Sequence, residues 1–247
     1  MAISTNSLAW LRSVQPRRAI ALLLLLLPLT VGAQTVRDLW LSMPPSLAPY
    51  LSTSLRTQCL DFYDMHTDAQ TDNALKGKSR IDTLTSTFLA ATLSKAHTLQ
   101  MKLLPASGSG SASASGSASG LGSSMVSGSG SSSSLSSCDS VLCVVRSWDG
   151  PKRDSEVQLF DRQWKPLQAP LTFSADSFVC RPDTMSEERF SRLVALLDPI
   201  MFSVSLSPAE NVLLVKLSPV VPNPEDEKAI EQILVQRKLK WDGKTFK

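Results

Sequence analysis

Few residues in this chain could carry out acid–base or nucleophilic chemistry. The 247-residue sequence has only two histidines, His66 and His97. A Ser–His–acid or Cys–His arrangement would need one of them, and neither lies in a nucleophile motif. Paired carboxylates are the other general source of such chemistry, but no pair stands out. The sequence therefore predicts no catalytic residue.

The segment Gly77-Lys78-Ser79 resembles the end of a phosphate-binding loop. That motif requires a glycine five residues before its last glycine and a buried strand ahead of it. Asp72 stands where the first glycine belongs, and no such strand precedes it. We therefore interpret the segment as a turn that ends a helix.

Four aspartates recur at helical spacing close to His66. They are Asp61, Asp64, Asp68 and Asp72. Carboxylate oxygens suit calcium and other hard cations, but a calcium loop also needs a glycine and closely spaced ligands. Both are missing here, so we favour a solvated helix face. The sequence predicts no metal ion and no cofactor.

One arginine and three tryptophans fall where strands are expected to end, and they are the candidate recognition residues. They are Arg146, Trp148, Trp164 and Trp241. If they are exposed together, they form a binding surface, since tryptophan and arginine are enriched at binding hot spots. If they are buried, the tryptophans anchor the core and its turns. Burial is the interpretation that we favour.

The first 33 residues have the pattern of a secretory signal peptide. Three arginines precede an apolar run over residues 19–31, and small residues lead to Ala33, where cleavage is expected. A membrane helix needs about 20 apolar residues, whereas this run is shorter and contains Pro28. We predict export to the periplasm or cell envelope, with no membrane span after cleavage.

The charge balance changes once the signal peptide is removed. Residues 1–33 contain three arginines and no acidic residue, which leaves 22 Lys and Arg against 22 Asp and Glu. Proteins that bind nucleic acids rely on excess positive charge to neutralise phosphates. The sequence therefore predicts no nucleic-acid partner.

Four cysteines make disulfides conceivable in an exported protein. They are Cys59, Cys138, Cys143 and Cys180. A bond between Cys138 and Cys143 is disfavoured, because residues five apart on one strand point to opposite faces. Cys59 and Cys180 could pair with those two in either order. Cys143 lies in an apolar run and is equally consistent with a buried free thiol.

The elements that must position these residues indicate an α+β fold, with helices packed on antiparallel meander sheets. Strands over residues 98–104 and 141–148 would form a hairpin. Its tip would carry residues 106–137, which are almost entirely Ser, Gly and Ala and which we expect to be a disordered insertion. The other predicted strands span residues 83–93, 156–161, 201–206, 211–217 and 238–241. Helices are predicted over residues 187–197 and 225–236. Residues 35–61 are expected to form either two short helices or a loop followed by a helix.

An internal similarity suggests two related α+β halves, residues 34–167 and residues 168–247. Residues 93–105 and 206–219 match with one gap, and both read as strand, turn, strand and proline. Each half also closes on an aspartate turn that is followed by an aromatic residue. Coincidence is the alternative, because any two hairpins share a period of two. If the halves are real, their junction is the expected cleft.

Several segments together resemble a known family. They are residues 34–38, 60–62, 73–79, 138–145 and 239–246. The family that they resemble consists of secreted Bacteroidales proteins and is known only as a domain of unknown function. The resemblance covers most of the mature chain except the Ser/Gly tract. It implies a periplasmic or cell-envelope protein and assigns no catalytic residue.

The same resemblance implies a modification. Bacteria of that group O-glycosylate exported proteins at Asp-Ser or Asp-Thr followed by an aliphatic-type residue. Thr83, Ser140 and Thr184 lie in such patterns.

The sequence as a whole favours a non-enzymatic binding or interaction module. Its partner would be an envelope protein, a peptide or a glycan. The alternative is a hydrolase that uses carboxylates in a cleft between the two halves.

Overall fold

A computed structural model describes residues 34–106 and 140–247. The predicted signal peptide, Cys138 and all of the Ser/Gly tract except Ala106 lie outside the described residues. The helices are α1 (Val36–Ser42), α2 (Thr53–Asp64), α3 (Glu187–Ala195) and α4 (Pro224–Glu231), and Ala175–Phe178 forms a 3-10 turn. The strands are β1 (Thr71–Asp72), β2 (Lys78–Leu84), β3 (Phe88–Ser94), β4 (His97–Pro105), β5 (Ser140–Asp149), β6 (Arg153–Phe160), β7 (Phe202–Leu206), β8 (Val212–Leu217) and β9 (Arg237–Lys240).

A six-stranded antiparallel meander forms the centre of the fold, in the order β1-β2-β3-β4-β5-β6. Its longest pairing joins β4 to β5, from His97 opposite Trp148 to Pro105 opposite Ser140. The hairpin predicted from residues 98–104 and 141–148 is therefore confirmed. The single strand predicted over residues 83–93 is wrong. Thr85 and Phe88 close a turn that divides this stretch between β2 and β3.

Helices α1 and α2 cover one face of the six-stranded sheet. Ser52 caps α2, and Pro44-Pro45 separates the two helices as the prolines predict. The Trp40 indole donates to the Arg56 carbonyl oxygen at 3.1 Å, and the buried Arg56 guanidinium donates to the Met43 carbonyl oxygen. These bonds fix the loop between the helices, so that Leu39 and Trp40 pack against β4 and β5 in one buried cluster.

The C-terminal half covers the opposite face. Its three-stranded sheet, β7-β8-β9, packs with α3 and α4 against side chains from β4, β5 and β6. Strand β5 is consequently buried on both faces, with Cys143 and Val145 toward the second sheet and Leu142 and Val144 toward the helices. The α+β fold is confirmed. Most of the contact between the predicted halves is filled by apolar side chains.

Side chains of the first sheet bind the backbone edge of the second sheet. Alternate N–H groups of β7 donate outward to the six-stranded sheet. The Phe202 N–H donates to Asp154 Oδ1 at 3.3 Å, that of Val204 to Ser155 Oγ at 3.1 Å, and that of Leu206 to Gln100 Oε1 at 2.8 Å. The outward N–H groups of this edge are therefore already bonded, and another strand cannot add to it without displacing those bonds.

A buried lysine on β4 joins the same two sheets. Lys102 is 2% exposed, and its ammonium donates to three backbone carbonyl oxygens of the β7–β8 turn, at 2.6, 3.0 and 2.8 Å. Three acceptors match the three N–H groups of an ammonium. Burial lowers the pKa of Lys102, while Cys143 and Glu210 act in the opposite direction.

The internal similarity has a counterpart in local structure. Asp161 and Asp242 each accept two backbone N–H groups of the turn that follows, at 2.8 to 2.9 Å. An aromatic pair flanks each turn, and the ring centroids are 5.4 Å apart for Phe160 and Trp164 and 5.0 Å apart for the pair around Asp242. Residues 93–105 and 206–219 each contain a strand end, a turn and a strand. These parallels keep the duplication a plausible hypothesis.

The described cysteines are free thiols: Cys59 and Cys143 are buried and Cys180 is exposed. Cys143 could have formed a disulfide or remained a buried free thiol, and in the structure it is the buried free thiol. Within residues 34–106 and 140–247, no helix is both long and apolar enough to cross a membrane.

Candidate functional site

The structure separates the four candidate recognition residues into three places. Arg146 and Trp148 lie near the end of β5, where Trp148 is opposite His97. Trp164 packs on Phe160 near the start of β5, on the face that the helices cover. The Trp241 indole donates to the Pro105 carbonyl oxygen at 2.7 Å, also near the start of β5 but on the face that the second sheet covers. At about 3.3 Å per residue, the start of β5 is roughly 20 Å from Trp148.

Exposure distinguishes these residues as well. Trp164 is 9% exposed and its indole donates to Ser42 Oγ at 3.3 Å, so it anchors the core. Trp241 is half-buried against Phe246. Trp148, in contrast, is 39% exposed. Trp148 is thus the tryptophan through which a surface contact is best made.

The hairpin register places His97 against Trp148. The two residues are cross-strand partners at the open end of the β4–β5 hairpin, away from its connecting tract, where the Asp149 N–H donates to the Ala96 carbonyl oxygen at 2.9 Å. Their rings are stacked with centroids 5.3 Å apart and planes 10° from parallel. Aromatic pairs across strands stabilise a hairpin, so the imidazole fixes the orientation of the exposed indole.

Arg146 contributes a charge beside the same ring. It lies two residues before Trp148 and hence on the same face of the sheet. Its guanidinium carbon lies 5.4 Å from the centroid of the indole, and its Nη2 donates to Glu156 Oε2 on β6 at 2.6 Å. The contact with Glu156 holds the guanidinium in place, and the contact with the ring is of the cation–π kind. We refer to Tyr50, His97, Arg146, Trp148 and Glu156 as the aromatic site.

Tyr50 completes the site from the loop between α1 and α2. Its hydroxyl is hydrogen-bonded to Nδ1 of His97, which is 7% exposed, while Nε2 of that ring has no partner in the part of the chain that the structure describes. Burial, with a smaller effect of the Arg146 charge, lowers the pKa of His97 to about 4. Burial raises the pKa of Tyr50 to about 12. Both side chains are therefore neutral near pH 7.

The sequence predicts Arg146 and Trp148 as site residues, but it does not identify His97, Tyr50 or Glu156 as members of the site. The register of the predicted hairpin was the signal that would have found His97. Counting both strands from the tip places position 97 opposite position 148. Tyr50 follows from no short-range pattern, because 47 residues separate it from His97.

A separate cavity of about 320 Å³ lies where the β5–β6 turn contacts the C-terminal half. Lys152 from the β5–β6 turn and Glu227 from α4 line it and form an ion pair at 2.5 Å. Glu231 also lines this cavity. The Lys152 ammonium neutralises the Glu227 carboxylate, whereas Glu231 forms no ion pair within the described residues.

The predicted line of aspartates is not one helix face. Helix α2 ends at Asp64, which pairs with Arg37, whereas Asp72 lies on β1 and pairs with Lys78. Gly77 likewise belongs to the β1–β2 hairpin and does not end a helix. Asn73 directs this turn, since its side-chain oxygen accepts the Gly77 N–H at 2.9 Å. Among the described residues, no group of three His, Cys, Asp or Glu side chains could hold a metal ion.

The three predicted glycosylation positions differ in accessibility. Thr184 is exposed in a turn before α3, and Thr83 is half-buried on β2. Ser140 is buried, and its hydroxyl accepts a hydrogen bond from Arg162 Nε at 2.9 Å.

Together these features define an α+β protein with a six-stranded and a three-stranded antiparallel sheet and an aromatic surface site. The chain belongs to the family described as "Protein of unknown function (DUF3256)", whose model matches residues 28–113 and 133–246. The unmatched residues between those ranges fall within the Ser/Gly tract. A search of curated proteins found no match.

A solved structure shares the fold. It is described as "Structure of a domain of an uncharacterized protein from Porphyromonas gingivalis W83". The two chains are 22% identical with a TM-score of 0.59, and the match covers 86% of this chain and 98% of the other. The likeness supports the α+β architecture. It assigns no activity.

Proposed function

We propose that this protein is an exported, non-enzymatic interaction module of the cell envelope, and that it binds its partner through the aromatic site. The single observation that carries the proposal is Trp148, a large apolar side chain that is 39% exposed yet held by ring contacts with both His97 and Arg146. A preorganised aromatic side chain loses little conformational freedom on binding. Tryptophan and arginine are also the residues that most often dominate binding interfaces.

The chemistry of the site favours an envelope protein or peptide as the partner. The indole offers apolar area, while Arg146 and Glu156 at its side offer a donor and an acceptor. Their side chains are 20% and 32% exposed, so both can contact a bound partner while they remain paired. A glycan ring would also stack on the indole and is the alternative outcome of the test.

Export is supported by the predicted signal peptide. Its test is N-terminal sequencing of the protein from the periplasmic fraction of its native host. We expect a mature chain that begins at Gln34. An intact N-terminus in the cytoplasmic fraction would contradict export.

The binding proposal is tested with a Trp148→Ala variant in cross-linking and pull-down from the envelope fraction. We expect the variant to remain folded but to lose a partner that the wild-type protein retains. Leu75→Ser is the matched control, since Leu75 is 69% exposed but lies at a different hairpin. Identical partners for the wild-type protein and Trp148→Ala, or none above background for either, would refute the proposal.

The nature of the partner is read from a second experiment. Purified protein is titrated with the recovered polypeptide and with its glycans after release, and tryptophan fluorescence is followed. Binding of the polypeptide alone supports the protein partner. Binding of the released glycans alone identifies a sugar-binding site.

A further inference from the structure

A second cavity, of about 450 Å³, lies far along the sheet from β5 and β6, beside β2. Arg80, Ile81 and Asp82, three consecutive residues of β2, all line it. Successive side chains of a strand point to opposite faces of the sheet. A cavity that touches three in a row therefore runs along the edge of the strand and not over one face.

That edge is only partly covered by protein. Strand β1 pairs with β2 only at Lys78 and Ser79. At the other end, the Tyr63 hydroxyl accepts the Leu84 N–H at 3.1 Å and donates to the Leu84 carbonyl oxygen at 3.4 Å. Between these points, residues 80–83 have no strand on their outer side within the described residues. An unpaired strand edge is a template for pairing with another chain.

The opposite wall of the cavity is made by the end of α2 and by the loop that follows it. Phe62 and Tyr63 contribute aromatic area, and Asp68 contributes a carboxylate that is exposed and forms no ion pair within the described residues. On β2, Asp82 is paired with Arg80 at 2.7 Å. The lining thus has two carboxylates, one guanidinium and the imidazole of His66. The C-terminus of a helix adds partial negative charge.

We propose that this cavity and the open edge of β2 form a docking site for an extended, basic peptide segment, which adds to the sheet as a further strand beside residues 80–83. In this mode of recognition, main-chain hydrogen bonds give affinity and pockets for alternate side chains give specificity. Lysine or arginine side chains of the segment enter the cavity, where the Asp68 carboxylate and the two aromatic rings meet the ammonium or guanidinium group.

The inference is independent of the aromatic site, which lies at β5. A peptide bound at β2 makes no contact that requires Trp148. The two proposals are therefore tested by substitutions at different residues.

The test uses synthetic, end-blocked peptides as long as β2, which has 7 residues. One alternates valine and lysine, a second alternates valine and glutamate, and a third is the lysine peptide N-methylated at alternate residues, which removes the N–H donors of one edge. Binding to the full mature protein is measured by calorimetry, and amide chemical shifts of residues 80–84 are followed by NMR. We expect saturable binding of the lysine peptide below about 1 mM, at least tenfold weaker binding of the glutamate peptide, and no binding of the methylated one.

Charge reversal at the cavity is the matched protein variant. Asp68→Lys is expected to weaken binding of the lysine peptide about tenfold, whereas Asp183→Lys, an exposed aspartate in a remote turn, leaves it unchanged. Trp148→Ala binds the lysine peptide as the wild-type protein does. The proposal is overturned if the lysine peptide fails to bind, if the methylated peptide binds equally well, or if Asp68→Lys and Asp183→Lys behave alike.

Discussion

His97 makes the stability of this protein depend on pH in a window where carboxylates contribute little. Its pKa is lowered to about 4 from an ordinary value of 6.5, because burial disfavours the imidazolium and the Arg146 charge repels it. The unfolded chain takes up a proton below about pH 6.5, but the folded chain does so only near pH 4. Lowering the pH through this window therefore favours unfolding.

The magnitude follows from proton linkage. For those two pKa values, the free energy of unfolding falls by about 2 kcal/mol between about pH 7.5 and about pH 5. Tyr50 and Trp148 beside the imidazole are both partly exposed, so solvent screens part of the effect. We expect His97 to account for a loss of about 1 to 2 kcal/mol.

The assay is urea unfolding of the mature protein at both pH values. His97→Phe keeps an aromatic ring against Trp148 but cannot take up a proton, so its stability should fall by about 1 to 2 kcal/mol less than that of the wild-type protein. His66→Asn is the control, because His66 is exposed and its backbone φ of 51° is one that asparagine tolerates. An equal pH dependence in His97→Phe and the wild-type protein would refute the reasoning. So would an NMR titration of the His97 ring with a midpoint near 6.5.

Three further predictions concern the body of the fold. Lys102→Met removes the donor from three carbonyl oxygens of the β7–β8 turn and should lower the free energy of unfolding by about 2 to 3 kcal/mol. Its control is Lys95→Met, on an exposed turn, which should change that free energy by less than about 0.5 kcal/mol. Equal effects of the two substitutions would contradict the role of Lys102. Asn73→Ala should lower the free energy of chemical unfolding by about 2 to 3 kcal/mol, because the buried amide also donates to the Leu93 carbonyl oxygen at 2.7 Å. A decrease below about 0.5 kcal/mol would contradict that reasoning. Replacing residues 107–137 by a short turn should leave the thermal midpoint unchanged or raised. The reason is that the two strands that the tract connects already meet at Pro105 and Ser140, and loop entropy grows slowly with length. A fall of the midpoint by more than about 5 °C would contradict this.

The central hairpin was predictable because its signals are local. The apolar run of β5 and the alternation in β4 both read directly as strands, and the composition of the tract between them identified their connection. The division of residues 83–93 between β2 and β3 was missed, since no glycine or proline indicates the turn. Thr85 supplies that turn through its own hydroxyl, which accepts the Phe88 N–H at 3.0 Å.

The candidate site was only half predictable, for a physical reason. Arg146 and Trp148 are two residues apart on one strand, so their shared face follows from the period of a strand. The contacts of His97 and Tyr50 with that face depend on register and on tertiary packing, which hydropathy does not encode. The prediction that the four aspartates share one helix face was wrong for another reason. Their regular spacing continues past Asp64, where α2 ends, so the spacing did not indicate the end of the helix.

The bonds between the outer N–H groups of β7 and the side chains of Asp154, Ser155 and Gln100 bear on how the chain can be divided. A fragment that begins after residue 168 would leave those donors on a bare strand edge, which invites pairing with a second copy. The N-terminal fragment, in turn, would expose the apolar face of β5 to water. If the halves arose by duplication, each has become the cover that keeps the other from aggregating.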